Sequence, residues 1–290
     1  MSAEPRKQTV LITGATDGLG KAAALLLAER GYRVFAAGRS AQKRAELDAI
    51  AHDKKLPLET LELDVCDDAS VQHAVSTVLA QTGTIDVLIN NAGMSYVATV
   101  EDMTLEDWRR QFETNFFGVI RVTQAVLPHM REQRRGRILM MSSVSGLVTP
   151  PTQGAYSASK HAIEGLSNAL RLELYPFHVE VILIEPGYIV TNIQQVAVEL
   201  TKPYQEKIQA GPYAGLYGRA WTSAKSSRAA SKTTAEDCAQ VMLRAIEAPR
   251  PKPRYGVTPT ATMVKLAKRF LTDSAVDAML RRRYGVKRAS

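Results

Sequence analysis

Tyr156 and Lys160 stand four residues apart in the run Gly-Ala-Tyr-Ser-Ala-Ser-Lys, residues 154–160. The Ala, Ser and Leu content continues through Ala162, Leu166, Ala169 and Leu170 and predicts a helix over 153–175. Positions i and i+4 of a helix share a face, so an ammonium is held beside a phenol. A phenol titrates near ~10 and is a poor acid–base group at neutral pH. A fixed positive neighbour favours the phenolate and brings that value toward the working range of proton transfer. A surface Tyr and Lys that fall four apart by chance is the plain alternative. The pair acquires meaning only from the rest of the chain.

Gln8 to Thr13 is a short apolar, β-branched run suited to a buried strand. Thr-Gly-Ala-Thr-Asp-Gly-Leu-Gly, residues 13–20, follows it, and a helix is expected over 18–30. Strand, glycine turn and helix N-terminus together suit a pyrophosphate, because glycines allow close approach and the first turn offers free N–H groups. The spacing is G-x-x-x-G-x-G rather than G-x-G-x-x-G. A second strand, Tyr32 to Gly38, completes a βαβ unit.

The chain resembles the short-chain dehydrogenase/reductases, near their steroid- and retinoid-type branch. The matching pieces are the glycine turn, Asp64 after the third strand, Asn-Asn-Ala-Gly at 90–93 and Asn115 in Thr-Asn-Phe-Phe-Gly. They continue with Ser-Ser-Val-Ser-Gly at 142–146, Tyr-Ser-Ala-Ser-Lys at 156–160 and Pro-Gly-Tyr-Ile-Val-Thr at 186–191. The resemblance spans residues 8–195 and is loose beyond. It implies hydride transfer between a nicotinamide and a carbonyl or alcohol carbon. Tyr156 would be the general acid–base, with Lys160 lowering its pKa and bonding the nicotinamide ribose. Ser143, thirteen residues before Tyr156, would hold the carbonyl oxygen, although Ser142 and Ser145 are also near. Asn115 would kink its helix and hold a water linking Lys160 to solvent. The resemblance also implies that Gly14, Thr16, Gly18, Leu19 and Gly20 cradle the pyrophosphate. Asp64 and Val65 would flank the adenine, and Asn91, Ala92 and Gly93 would pass beneath the adenosine ribose. After the Pro186–Gly187 turn, itself in the cofactor-binding set, Ile189 and Thr191 would meet the nicotinamide amide. Asn91 as a simple turn former and Thr191 as a helix cap are the alternatives.

The end of the second strand bears on the cofactor. A dinucleotide fold that takes NAD places an acid there for the ribose hydroxyls. This chain has Ala-Ala-Gly-Arg-Ser at 36–40, with no carboxylate. Gly38 leaves room and Arg39 offers a guanidinium fork for a 2′-phosphate, which points to NADP. Asp17 stands where some NADP-specific relatives carry a second basic residue, so this preference rests on Arg39.

Strands are predicted near 8–13, 32–38, 58–64, 85–90, 136–142 and 178–184, with helices near 18–30, 41–51, 68–82, 105–132, 153–175 and 234–248. Alternation of this kind predicts an α/β, doubly wound, Rossmann-like parallel sheet. By resemblance, a short strand at 255–257 makes a seventh. The expectation is one domain over 1–290, with a substrate-binding insert at 188–231 and a basic helical tail at 258–290. The insert is expected to be irregular, given Pro203, Gly211, Pro212, Gly215 and Gly218.

Apolar residues make up 45% of the chain, which suits a globular core. Two cysteines, Cys66 and Cys238, make no disulfide framework and suit a reducing compartment. The five histidines show no ligand spacing, and no metal site is expected. The N-terminal residues lack an apolar signal core, and no run of ~18 apolar residues exists. A soluble, cytoplasmic protein is the expectation.

Met94, Tyr96, Leu147, Tyr188 and Tyr213, with Trp221 on a lid, are the candidate pocket residues; Met94 and Tyr188 join Ser143 and Tyr156 as the substrate-binding set. They suit a lipophilic ketone, aldehyde or secondary alcohol. A catalytically silent NADP(H)-binding sensor or scaffold is the alternative function. The predicted helices 105–132 and 153–175 carry surplus apolar residues, and by resemblance their outer faces form a two-fold interface in a homodimer or homotetramer. Residues 251–290 hold ten basic and two acidic residues, equal to the whole net charge of +8. Packing of the tail's apolar stripe on the domain or a neighbouring subunit is the favoured reading there. Peripheral contact with anionic lipid is the second, and nucleic-acid binding is disfavoured for want of a recognition module.

Overall fold

Short runs rich in Val, Ile, Leu and Ala become strands because they are covered on both faces. β1 (Thr9–Thr13) and β4 (Val87–Asn90) are buried at every residue. With β2 (Arg33–Gly38), β3 (Leu58–Glu62), β5 (Gly136–Met141), β6 (Val179–Glu185) and β7 (Arg254–Gly256) they form one parallel sheet in the order β3-β2-β1-β4-β5-β6-β7. The computed structural model describes residues 8–288. The expectation of no signal core concerns residues largely outside that range, as do the last two residues of the tail.

Alternate strand residues feed two cores. Val10, Ile12, Val34 and Ala36 pack with α1 (Gly18–Glu29), Leu47 of α2 (Ala41–Asp53) and α10 (Ala235–Glu247). Leu11, Phe35 and Leu88 pack on the other face with α3 (Asp68–Thr82), α5 (Gly118–Glu132) and α6 (Gly154–Leu174). The strand order reverses between β1 and β4, which opens a crevice at their carboxyl ends, the usual ligand position in open α/β sheets.

The predicted helix 105–132 is divided. α4 (Leu105–Phe112) passes through a π-helical turn, Glu113–Phe117, into α5. Val122 and Val126 lie in the core, while Phe112, Phe116 and Ile120 are half-buried.

The segment after β6 is helical rather than irregular. It holds α7 (Ile193–Thr201), a 3-10 turn Lys202–Tyr204, α8 (Gln205–Ala210) and α9 (Ala214–Ala230). The breakers fall at helix boundaries: Pro203 lies in the 3-10 turn, and Gly211 and Pro212 lie between α8 and α9. Gly218 faces open space, where a missing side chain forfeits no contact. Tyr204 and Tyr217 fasten this segment to the domain. The Tyr204 hydroxyl bonds the Asp107 carboxylate. The buried Tyr217 hydroxyl accepts from the Thr99 N–H and donates to Asp102, each at 2.8 Å.

After β7 come α11 (Pro259–Phe270) and α12 (Asp273–Tyr284). The expected stripe on α11 splits between two faces. Ala261 is buried and Val264 and Ala267 are half-buried, whereas Met263, Leu266 and Phe270 are exposed. The 3.6-residue period forces this division, because the six apolar residues from Met263 to Leu271 encircle more of the helix than one contact covers.

Tyr217→Phe leaves the buried Thr99 N–H without its acceptor. Stability should fall by about 1–3 kcal/mol in urea unfolding, the cost of an unsatisfied buried polar group. A variant as stable as the parent would show that this hydroxyl does not anchor α9.

Candidate active site

Tyr156 sits in the first turn of α6, and its hydroxyl meets Ser143 at the carboxyl end of β5. Ser143 Oγ also accepts the Ser145 N–H at 3.1 Å. Lys160, one turn on, is buried; its Nζ donates to the Met141 carbonyl at 2.7 Å and lies 5.7 Å from the Tyr156 ring centroid. Burial pulls the Lys160 ammonium down to about 8, against the Glu164 carboxylate, which raises it. Burial pushes the Tyr156 phenol above its ordinary value, and the Ser143 hydrogen bond acts in the opposite sense. The expected lowering by Lys160 is therefore not the dominant effect. Desolvation of the phenolate sets the direction, and the ammonium is engaged by the Met141 carbonyl.

Asn115 lies buried in the π turn, the irregularity expected of its position. Its Oδ1 accepts the Met94 N–H at 2.9 Å, and its Nδ2 donates to the Met94 carbonyl at 2.9 Å and to Ser159 Oγ at 3.2 Å. Ser159 Oγ in turn donates to the Tyr156 carbonyl at 2.7 Å. Asn115 thus ties the segment after β4 to α6, and Gln111 adds a bond to the same Met94 carbonyl.

The glycine turn fits a dinucleotide. Gly14 and Gly18 have φ of +61° and +51°, conformations open to glycine. A Cβ on Gly20 would collide with the Gly14 carbonyl oxygen and the Asn91 amide. Asn91 Nδ2 donates to the Thr13 and Gly14 carbonyls at 3.0 and 2.9 Å, and Thr13 Oγ1 accepts the N–H groups of Asn91 and Ala92. Gly93 abuts Asn115, and Leu19 packs on the core. Thr16 lies against Gly38, where any Cβ would strike it.

At the far edge, the exposed Arg39 Nη1 lies 3.6 Å from the half-buried Asp64. The other Asp64 oxygen accepts the Cys66 N–H at 2.9 Å. Val65 is buried against Gly118. Asp17 caps α1 and binds Lys43 and Asn192. Burial opposes its ionisation, yet the bonds from Lys43, Asn192 and the Gly18 N–H hold it below the ordinary carboxylate value. Lys43 therefore brings a second cation to this edge, on the first turn of α2 after Arg39.

Pro186 accepts the Val144 N–H at 2.9 Å, which joins the Ser143 turn to the turn at Gly187. Ile189 is buried in the core, and Thr191 faces Gly18. Gln194 fixes this stretch by accepting the Thr191 N–H and donating to the Ile189 carbonyl, both at 2.9 Å.

Of the pocket candidates, Met94, Leu147 and Tyr188 are half-buried near these turns. Tyr96 is not a pocket wall. It is buried, and its hydroxyl donates to Asp107 at 2.6 Å, because the loop after β4 turns it into a small core with Tyr204. Tyr213 donates to Glu101 at 2.7 Å, and Trp221 is exposed. Among the described residues no group of three or more His, Cys, Asp and Glu side chains is arranged to hold a metal ion.

Behind the site lies a charge network absent from the sequence-derived residues. Glu164 accepts from Ser142 Oγ and pairs with Arg254. Arg254 also donates to the fully buried Glu185 at 2.7 Å. Burial raises Glu164, although Ser142 and Arg254 pull it down. The i+4 spacing from Lys160 could have flagged Glu164. No sequence signal links Arg254, ninety residues on, to either acid.

A family profile described as short chain dehydrogenase matches residues 8–201. The 3-ketodihydrosphingosine reductase of Bacteroides thetaiotaomicron is 43% identical over 62% of this chain and 63% of its own. Human retinol dehydrogenase 8 is 40% identical over 67% of this chain and 62% of its own. The chain thus spans less than two thirds of either relative. A crystal structure of a short chain dehydrogenase/reductase from Burkholderia phymatum in complex with NAD superposes with a TM-score of 0.79, at 26% identity, over 93% of this chain and 95% of that one.

Arg254→Met leaves two carboxylates facing each other behind Ser142. Because Arg254 is partly exposed, the loss should be about 2–3 kcal/mol, below the full cost of unpairing a buried ion. The folded-state pKa of Glu164 is already raised, so the folded form takes up its proton first as pH falls. The deficit should shrink in acid and be largest above neutrality. Urea unfolding of variant and parent between pH 5 and 8 checks this; a deficit that grows in acid would exclude the network as its source.

Proposed function

The chain belongs to the short-chain dehydrogenase/reductase family, and we propose that it interconverts a carbonyl and an alcohol with NADP(H). The observation that carries this reading is the meeting of Tyr156, Ser143 and buried Lys160 beside a glycine turn built for close backbone approach. All four positions of the tetrad are present with Asn115, which argues against a catalytically silent sensor.

Bound NADP(H) supplies or accepts the hydride. Gly14, Thr16, Gly18, Leu19 and Gly20 would hold its pyrophosphate, Asp64, Val65 and Asn91 to Gly93 its adenosine, and Pro186, Gly187, Ile189 and Thr191 its amide. Tyr156 gives its phenolic proton to the developing alkoxide oxygen in reduction and takes it back in oxidation. Burial keeps that phenol protonated at neutral pH, the form reduction needs. Ser143 holds the carbonyl oxygen. Lys160 bonds the ribose and carries its charge below about 8.

Arg39 supports NADP over NAD, and Lys43 adds a second positive group at the start of α2. The uncharged set of Met94, Leu147 and Tyr188 supports a lipophilic substrate. The lipid substrates in the names of the 3-ketodihydrosphingosine reductase and of retinol dehydrogenase 8 agree with this. A reduced NADPH pool favours the reductive direction. Phe117 on the π turn, Leu172 on α6 and Tyr175 just past its end leave apolar surface on the outer faces, which supports a two-fold helical interface.

An NADPH-oxidation screen over ketones, steroids, retinals and acyl carbonyls tests the activity. Tyr156→Phe should lower turnover by at least ~10²-fold with cofactor binding kept. Near-normal turnover in that variant would remove Tyr156 from the chemistry. Arg39→Asp should turn preference toward NADH, by repulsion of the 2′-phosphate and loss of the guanidinium fork. A parent chain that prefers NADH would overturn the NADP assignment.

A further inference from the structure

α11 presents one face to the domain and another to solvent. Ala261, Val264 and Ala267 turn inward. Met263, Leu266 and Phe270 are 64%, 61% and 75% exposed. Their i, i+3, i+7 spacing makes a single stripe along the helix. Arg269 flanks it, with its guanidinium 6.0 Å from the Phe270 ring centroid, Lys265 follows further round the same side, and Lys268 lies on the opposite side of the helix. No acidic residue occurs in α11. Among the described residues neither Lys265 nor Arg269 forms a salt bridge, while Lys268 reaches Asp273 at 3.3 Å. α12 adds exposed Met279 and the run Arg281, Arg282, Arg283.

Large apolar side chains held in water beside unpaired cations call for a partner that is apolar within and anionic at its rim. A second copy meeting this face would bring one strongly basic tail against another, which is repulsive. A nucleic acid would satisfy the cations and leave the aliphatic stripe in water. A lipid surface satisfies both: apolar side chains enter the acyl boundary and the cations meet anionic headgroups.

We propose that α11, with the basic end of α12, docks the protein on an anionic lipid surface. The start and the inward side of the helix that carries the docking face pack against the turns of the proposed site. Thr258, the N-cap of α11, packs on Gly187 so closely that a Cβ there would collide with its hydroxyl. α11 also packs on the 3-10 turn Val144–Gly146 that follows Ser143. A lipophilic substrate would then leave the bilayer near the site. The docking itself does not depend on the catalytic reading, and its test reads no activity.

The full chain is sedimented with phosphatidylcholine vesicles, with and without phosphatidylserine, at low and high salt. The expected result is binding to the anionic vesicles at low salt, reduced at least about tenfold by high salt. Lys265→Glu/Arg269→Glu and Leu266→Glu/Phe270→Glu should each lower binding by a similar factor. All four residues are exposed, and unchanged circular dichroism and thermal unfolding would confirm that the fold is kept. Absence of sedimentation with anionic vesicles, or binding equal to neutral vesicles, overturns the proposal. So do variants that bind as the parent does. Variants that alter only the oligomeric state in light scattering overturn it too and assign the stripe to a second copy.

Discussion

The Asn91 side-chain amide donates to the carbonyl oxygens of Thr13 and Gly14, while the Thr13 hydroxyl accepts the Asn91 and Ala92 N–H groups. These bonds span the point where β1 and β4 part and the sheet has no ladder of its own to hold it. Without them the polar groups at the strand ends would be left to water in the mouth of the crevice. The glycine turn is packed against this clasp, with Gly20 touching both the Gly14 carbonyl and Asn91. The first turn of α1, with its free N–H groups, is therefore aimed by an asparagine in the loop just after another strand, β4.

A second constraint is electrostatic and runs along α6. Tyr156, Lys160 and Glu164 follow one another at four-residue spacing, so phenol, ammonium and carboxylate line one face. Burial alone pulls Lys160 toward neutrality, and Glu164 opposes it. Glu164 is in turn held between Ser142 and Arg254, and Arg254 answers Glu185 from the neighbouring strand. β7 is only three residues long, yet through Arg254 it closes the charge balance behind the Tyr156–Lys160 face. The same strand leads into α11, so the site, the edge of the sheet and the basic surface are mechanically joined.

The helical segment between β6 and α10 is attached by hydroxyls more than by apolar contacts. Tyr204 reaches Asp107, and Tyr217 reaches Thr99 and Asp102. Few of its other side chains are buried, so its position depends on these few buried directional bonds, which are costly to leave unmade. No helix among the described residues is long and apolar enough to cross a membrane.

The strands and most helices were legible in the sequence because their signals are local. A short apolar, β-branched run, a glycine turn and the i, i+4 pair act over a few residues. The predicted limits of α1 and α3 lie within a residue of those observed. The break in 105–132 at Asn115 was expected by resemblance, but its form, a π turn, was not legible, because it depends on Asn115 finding the Met94 backbone. The insert was misread because Pro and Gly were counted without knowing that Pro203, Gly211 and Pro212 fall between α-helices and that α9 runs through Gly215 and Gly218. Tyr96 was misplaced because aromatic character does not say which way a loop will turn. The direction of the Tyr156 shift likewise needed the fold, since desolvation depends on what surrounds the ring. Arg254 and Lys43 could come only from tertiary structure: their partners are distant in sequence, and a charge carries no mark of the acid it will meet.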